Sequence, residues 1–373
     1  MKDKYDYLIV GAGITGSVIA HELNKKGLKC LVIDKRNHIG GNCYTENVEG
    51  INVHRYGAHI FRTNDEDTWN YIKQFAEFNS FINEPVAVYK DEVYNLPFNM
   101  NTFAKMFNVV TPEEAKKKIK EDIPQVCDVS TLKGKALSMV GKTIYEKLIE
   151  GYTEKQWKRK CEDLPSSIIS EIPLRFTYDN NYFNEKYQGV PVGGYTQIFD
   201  KMLEEIDVRL NTSYQDIKDE IEYDRLIYTG PIDEYFNYKY GPLEYRSLRF
   251  EEKIYDCKNY QGNAVLNWTE KSVPYTRSIE HKHFEKADTD KTVISYEYPQ
   301  DFDVNDNSTD RYYPINDEEN EKLYKLYKSD VVNSENKIIF CGRLGSYRYD
   351  SMDVAIVNAL KIVKEELDER NFS

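Results

Sequence analysis

A short apolar run, Tyr5-Asp6-Tyr7-Leu8-Ile9-Val10, leads straight into Gly11-Ala12-Gly13-Ile14-Thr15-Gly16. The residues after it, Ser17-Val18-Ile19-Ala20-His21-Glu22-Leu23, read as a helix closing near Gly27. A second apolar run, Cys30-Leu31-Val32-Ile33, ends at Asp34. Strand, glycine turn, helix and strand in about thirty residues make a βαβ unit. Between residues 99 and 150 the pattern is helical. Thr111-Pro112-Glu113-Glu114 predicts a helix start, with an N-cap Thr, Pro in the first position and a Glu to close a capping box. Leu137, Val140, Ile144 and Leu148 recur at helical spacing and predict one apolar face. From about 245 to 300 the period changes, and residues 247–252, 264–268 and 292–298 predict strands of an antiparallel sheet. Residues 305–308 read as an exposed turn. Lys337-Ile338-Ile339-Phe340-Cys341 predicts a strand meeting Gly342, followed by a helix from about 353 to 367.

This order implies a nucleotide-binding domain assembled from separated segments, with other domains inserted into it. A length of 373 residues agrees, since about 150 residues per domain gives two or three. With 50 Lys and Arg against 63 Asp and Glu, the net charge is −13, which disfavours nucleic acid and anionic lipid as general partners. An anionic substrate would have to be held by a few local arginines. Cys30, Cys43, Cys127, Cys161, Cys257 and Cys341 show no CxxC pair and no zinc spacing, so they read as buried free thiols, with no metal. The uncharged stretch from Tyr7 to Ala20 is too short to span a membrane and is broken by three glycines. Lys2, Asp3, Lys4 and Asp6 precede it without a signal-peptide layout, so a cytoplasmic protein is expected.

The glycine motif is informative through its context. The first Gly allows a tight turn, the second admits a pyrophosphate, and the third lets helix pack on strand, with the helix N-terminus facing the phosphates. Asp34 can accept ribose hydroxyls and disfavours a 2′-phosphate. The glycine pair Gly40-Gly41 beyond it resembles the extended motif of FAD proteins in the glutathione-reductase and amine-oxidase group. Gly342-Arg343 and Met352-Asp353 resemble the segment that returns to cover the flavin. The expected cofactor is FAD.

Further segments resemble the bacterial UDP-galactopyranose mutase family: Tyr56-Gly57-Ala58-His59-Ile60-Phe61, Gly151-Tyr152-Thr153-Glu154-Lys155-Gln156-Trp157, Asp179-Asn180-Asn181-Tyr182-Phe183, Val273-Pro274-Tyr275-Thr276-Arg277, Tyr312-Tyr313-Pro314-Ile315 and Gly342-Arg343-Leu344-Gly345-Ser346-Tyr347-Arg348-Tyr349. They occur in the family's order across nearly the whole chain. The resemblance implies an α/β fold: a discontinuous Rossmann-like FAD-binding domain (1–75, 190–232 and 335–373), an inserted helical domain with a mobile active-site loop (99–186), and a six-stranded antiparallel sheet domain (76–98 and 233–334). It implies an isomerase that interconverts UDP-galactopyranose and UDP-galactofuranose, or a close relative such as UDP-N-acetylgalactosamine. In that chemistry N5 of reduced FAD attacks the anomeric carbon, displaces the nucleoside diphosphate, and a flavin–sugar iminium permits ring opening and reclosure. The product would serve cell-surface polysaccharide. The implied partners are a nucleotide sugar and an external reductant, NAD(P)H or a reductase, with a homodimer allowed.

Carried over by position, Arg277 matches the arginine that grips the diphosphate, and Tyr182, Tyr313 and Tyr349 match tyrosines that reach the phosphates. Trp157 matches the aromatic residue of the mobile loop, and Tyr152 the contact to uracil. Thr153, Phe183, Asn83, Asn267 and Arg62 complete the implied substrate pocket. The catalytic set is Arg277, Arg343, Tyr349 and His59. The implied cofactor contacts are Gly11, Gly13, Ile14, Thr15, Gly16, Asp34, Lys35, Gly41, Asn42, His59, Ile60, Gly342, Arg343, Met352, Asp353 and Val354.

Three positions depart from the family pattern: Glu171 replaces an arginine of the mobile loop, Ser351 an aspartate, and Arg62 a histidine. At about 5 Å and a dielectric near 20 a unit charge pair is worth roughly 3 kcal/mol, so the exchange at 171 is large. Arg62 is expected to supply part of the lost positive charge, with Glu171 paired to it or facing solvent. An arginine at that position also resembles mutases that accept the N-acetylated sugar. A deoxysugar on another nucleotide is a further option. Two other functions compete: an amine-oxidase-like FAD oxidoreductase and a non-catalytic fold relative. Arg277 and the tyrosine set distinguish the mutase from the first, and Asp34 with Gly342-Arg343 from the second.

Overall fold

The computed structural model describes residues 4–169, 172–306, 308–333 and 338–371. Glu171, Asn307 in the expected turn and Lys337 at the head of the expected strand lie outside the described residues.

Strand β1 (Lys4–Val10), helix α1 (Ile14–Asn24) and strand β2 (Cys30–Ile33) form the βαβ unit. A hairpin of β3 (Thr45–Val48) and β4 (Ile51–His54) follows, then β5 (Phe61–Thr63) and α2 (Glu66–Ile72). Strands β6 (Val86–Tyr89) and β7 (Glu92–Asn95) precede helices α3 (Met100–Phe107), α4 (Pro112–Asp122), α5 (Leu132–Ile144) and α6 (Glu150–Trp157). Next come β8 (Tyr187–Gly189), α7 (Thr196–Leu203), β9 (Asp207–Arg209) and β10 (Glu222–Tyr228). Strands β11 (Tyr245–Tyr255), β12 (Val265–Trp268), β13 (Arg277–Glu280) and β14 (Thr292–Asp301) lead to β15 (Tyr313–Pro314), α8 (Glu318–Asn333), β16 (Ile338–Phe340) and α9 (Met352–Asn371).

Five strands from separated segments join in one parallel sheet, in the order β16-β10-β1-β2-β9. Because side chains alternate along a strand, Tyr7 and Ile9 pack toward α1, α7 and α9 while Leu8 packs on the opposite face. Both faces are covered, as a parallel sheet requires.

The second sheet differs from the expected six antiparallel strands. It has seven, in the order β15-β11-β14-β13-β12-β6-β7, and β12 pairs with β6 in parallel. Alternation within a strand specifies which face is buried but not which distant strand lies beside it, so the direction of the β6–β12 pairing had no local signal. The apolar face of 137–148 is also not one helix. Gly141, at φ +79°, breaks α5, and the chain passes into a π-helical turn at Tyr145–Ile149. Asp122 caps the second half by accepting the N–H of Thr143 at 2.6 Å. The capping box at Thr111 and Glu114 forms as expected. Of the six thiols, Cys127 and Cys257 are half-buried rather than buried. Among the described residues no helix is long and apolar enough to cross a membrane.

Helix α9 is fastened to the first sheet by charge. Glu366, 3% exposed, accepts the hydroxyl of Tyr7 at 2.9 Å and pairs with Arg225 at 3.0 Å. Removing that carboxylate leaves the buried Tyr7 hydroxyl without its acceptor and Arg225 with Glu369 as its remaining carboxylate partner. Glu366→Ala is therefore expected to lower unfolding free energy by about 2 kcal/mol in urea titration, with Glu366→Gln milder.

Candidate active site

The turn after β1 is closed to side chains. Gly11 has φ +104°, and a Cβ there would lie 2.0 Å from Thr229 Oγ1; a Cβ on Gly16 would lie 1.9 Å from the Gly11 carbonyl oxygen. Helix α1 begins after an extended Gly13 with no side-chain cap, leaving its N-terminus open to an anion. The second glycine pair packs on the first: the Gly40 N–H donates to Ala12 O at 2.8 Å, and a Cβ on Gly41 would lie 3.0 Å from Gly13 Cα. Asp34 is fixed by the N–H groups of Ala12 at 2.8 Å and Arg36 at 2.9 Å. Gly342, at φ +71°, closes the third side against Thr15 and Thr229. A glycine cradle, an uncapped helix and a fixed acid fit a dinucleotide.

This cradle forms one end of a cavity of about 510 Å³. The second sheet supplies another wall. Asn267, Arg277 and Glu297 are opposite neighbours on β12, β13 and β14, so the pleat turns all three to one face. Arg277 donates from Nε to Glu297 Oε1 at 3.0 Å, and its Nη2 lies 2.8 Å from Oε2. Burial opposes the Arg277 charge, and Glu297 overcomes that penalty and raises the pKa above the ordinary arginine value. Arg343 is held differently. It donates to the carbonyls of Tyr312 at 3.3 Å and Asp350 at 3.2 Å, and its guanidinium carbon lies 4.4 Å from the centre of the Tyr349 ring. Among the described residues no carboxylate pairs with it. Tyr313 stands 5.6 Å from Tyr349, ring centre to ring centre.

His59 donates from Nδ1 to Gly57 O at 2.8 Å, which leaves Nε2 as an acceptor. Burial, with Arg343 and Arg277 nearby, pushes its pKa down to about 4 against the Gly57 bond, so the ring is neutral at neutral pH. Its own N–H donates to Nδ1 of buried His54 at 3.1 Å. Arg62, on β5, pairs with Glu185 and lies over the Phe183 ring at 4.5 Å. Arg62 is thus compensated locally by Glu185, while Glu171, expected from sequence to pair with it or to face solvent, lies outside the described residues.

Most expected residues border the cavity. Gly11, Gly13, Ile14, Thr15, Gly16, Asp34, Lys35, Gly41, Asn42, His59, Ile60, Gly342, Arg343 and Met352 do so, as do Arg62, Asn83, Tyr152, Tyr182, Phe183, Asn267, Arg277, Tyr313 and Tyr349. Asp353, Val354, Thr153 and Trp157 do not. At the start of α9, Met352 and Ala355 line the cavity three residues apart, so Asp353 and Val354 between them are rotated away. Asp353 instead accepts the Ser351 hydroxyl, and Val354 is exposed. Trp157, at the end of α6, packs against the apolar cluster of the helices.

Several cavity contacts were missed. Arg36 donates to Asn42 Oδ1 at 2.9 Å, pairs with Asp310 at 3.3 Å and stacks 4.3 Å over Tyr56. Glu297 and Glu185 anchor Arg277 and Arg62. A glutamate inside the otherwise uncharged strand Thr292-Val293-Ile294-Ser295-Tyr296-Glu297-Tyr298 was the available signal for the first. Glu185 and Asp310 sit in polar stretches and gave none.

A family model described as UDP-galactopyranose mutase matches residues 147–349. The Klebsiella pneumoniae protein named "Probable UDP-galactopyranose mutase" is 40% identical over 366 residues, covering 96% of this chain and 94% of its own. The chain belongs to the UDP-galactopyranose mutase family. This is a family of flavin-dependent pyranose–furanose mutases. The dTDP-fucopyranose mutase of Escherichia coli is 36% identical over 366 residues, covering 95% of this chain and 96% of its own. A crystal structure of reduced UDP-galactopyranose mutase shares the fold at a TM-score of 0.74 and 15% identity, covering 98% of this chain and 96% of that one. A second family model, for an NAD(P)-binding Rossmann-like domain, matches residues 9–75, the segment that builds the cradle. The mutase-family model spans Tyr152, Arg277, Arg343 and Tyr349 together. The protein is thus an enzyme of the flavin-dependent mutase and oxidoreductase superfamily with a flavin- or nucleotide-type cofactor site.

The neutral histidines beside the site make stability depend on acid. Burial lowers His59 to about 4 and His281 to about 3, and His54 well below 6.5. Between pH 6.5 and 4 the unfolded chain binds more protons than the folded one, so stability falls as pH drops through that window. The urea midpoint is expected to fall steadily below about pH 6.5, with a shallower slope in His281→Gln. A midpoint independent of pH from 7 to 5 would contradict the neutral assignment.

Proposed function

We propose that the protein is an FAD-dependent nucleotide-sugar mutase, interconverting UDP-galactopyranose and UDP-galactofuranose or a close relative with no net redox change. One observation carries this reading: the glycine cradle and the Arg277, Arg343 and tyrosine cluster open on a single cavity, so a dinucleotide and an anionic ligand would share it. FAD suits the cradle because Asp34 is oriented to accept ribose hydroxyls and repels a 2′-phosphate, while Gly40 and Gly41 extend the approach to the pyrophosphate. When bound and reduced by NAD(P)H or a reductase, FAD supplies the nucleophile that displaces the nucleoside diphosphate from the anomeric carbon.

The chain's own residues hold the diphosphate before and after it leaves. Among the described residues no carboxylate pairs with Arg343 and no partner takes Arg277 Nη1, while Glu297 holds the Nε–Nη2 edge of the Arg277 fork. Tyr313, whose hydroxyl burial keeps protonated, can donate to the same oxygens. Holding the leaving group in place favours its recapture by the rearranged sugar over escape. His59 offers a neutral acceptor beside them. Arg62, compensated by Glu185, contributes orientation more than free charge.

The test is to incubate the dithionite-reduced holoprotein with UDP-galactose, UDP-N-acetylgalactosamine and dTDP-fucose, and to separate pyranose from furanose forms chromatographically. The E. coli relative is named for the dTDP-linked sugar, which is why that nucleotide belongs in the panel. A furanose product with the flavin still reduced is expected. Stoichiometric consumption of oxygen and reductant without furanose would favour an oxidoreductase. Arg343→Ala and Arg277→Ala are each expected to lower kcat/KM by about tenfold to a hundredfold, the loss of one charge-assisted contact.

A further inference from the structure

One wall of the cavity is assembled from two distant parts of the chain: Tyr152 on α6, and Asn267 and Arg277 on the hairpin of β12 and β13. Their junction is polar. A Cβ on Gly151 would lie 2.1 Å from Thr269 O, so the helix backbone rests directly on the hairpin. At the exposed rim, Lys271 of the hairpin turn reaches Glu154 at 2.9 Å and Glu150 at 3.3 Å.

Lys155 makes the inner contact. It lies three residues after Tyr152, on the same side of α6. Its Nζ donates to Trp268 O at 2.6 Å and to Tyr275 O at 2.9 Å, one carbonyl from each arm of the hairpin. Trp268 directly follows Asn267, and Tyr275 stands two residues before Arg277. No carboxylate pairs with Lys155 among the described residues. Burial pushes its pKa down to about 8, with only Glu270 acting the other way. A lysine without a task there would extend its head to water.

We propose that Lys155 is a positioning residue of the substrate site, its ammonium clamping both arms of the β12–β13 hairpin to α6 and so setting Tyr152 against Asn267 and Arg277. The proposal rests on the reading of this cavity as a nucleotide-sugar site. Lys155 does not itself line the cavity.

The flavin-loaded wild type is compared with Lys155→Met and Lys155→Arg for binding of UDP by calorimetry, for KM and kcat, for Tm, and for amide exchange in residues 265–277. Loss of the ammonium relieves a buried charge but orphans two carbonyls, so Tm is expected to move by no more than about 3 °C. Lys155→Met is expected to weaken UDP binding and raise KM by about tenfold, to change kcat by less than about threefold, and to speed exchange in the hairpin. Lys155→Arg, which keeps the charge and can reach both carbonyls, is expected to restore all of these. UDP binding within about twofold of wild type in Lys155→Met overturns the proposal. So does a loss of binding that follows Tm and is not rescued by arginine. Failure of the wild type to bind UDP at all, with hairpin exchange still faster in Lys155→Met, overturns it through its premise and marks the reading of the cavity, not the clamp, as the error.

Discussion

A buried guanidinium in a cavity wall is held charged and in place by a fixed carboxylate, and the Arg277–Glu297 pair supplies that compensation. Glu297 is 3% exposed and faces the Nε–Nη2 edge of the Arg277 fork with both carboxylate oxygens. The pairing follows from strand register: β12, β13 and β14 bring Asn267, Arg277 and Glu297 side by side on one pleat. A slip of one residue would turn Arg277 to the opposite face and leave Glu297 buried without its cation, an error costing several kcal/mol. The same register ties the cavity wall to the fold, because Gly57, which accepts from His59, approaches Glu297 and Phe250 so closely that a Cβ there would lie 3.3 Å from the Phe250 ring.

The distribution of charge around the cavity follows the same logic. In a chain with net charge −13, a cavity full of unpaired arginines would be out of character with its surroundings. Arg36 has Asp310, Arg62 has Glu185, Arg277 has Glu297 and Arg311 has Glu234. Arg343 stands apart, supported by two backbone carbonyls and the face of Tyr349. Positive potential is therefore concentrated at one guanidinium and the open edge of another, next to the uncapped N-terminus of α1. A small set of oriented N–H groups in a low-dielectric cleft attracts an anion more strongly than the same charges spread over a surface.

The lysine clamp and the histidine chain serve this arrangement from behind. Lys155 joins α6 to the hairpin through backbone carbonyls, and His54 and His281 secure backbone N–H groups of the strand and loop leading to His59. Each keeps a polar or ionisable side chain in a place where burial opposes it. Such groups fix orientation at some expense in stability.

The sequence by itself determined the βαβ unit, the glycine cradle, the acid at Asp34 and the family motifs, because each depends on residues close together in the chain. The tight turn at Gly11, the capping box at Thr111 and the β1 strand are local facts, and they came out as read. Tertiary structure alone decided the parallel β6–β12 pairing, the break at Gly141, the turn of Asp353 and Val354 away from the cavity, and the partners of the arginines. Arg62 illustrates the difference: its identity and place beside the site were legible, but whether its charge was free depended on Glu185, more than a hundred residues away. Local sequence sets which conformations and faces a segment can adopt, whereas burial and charge compensation are properties of neighbours that only folding brings together.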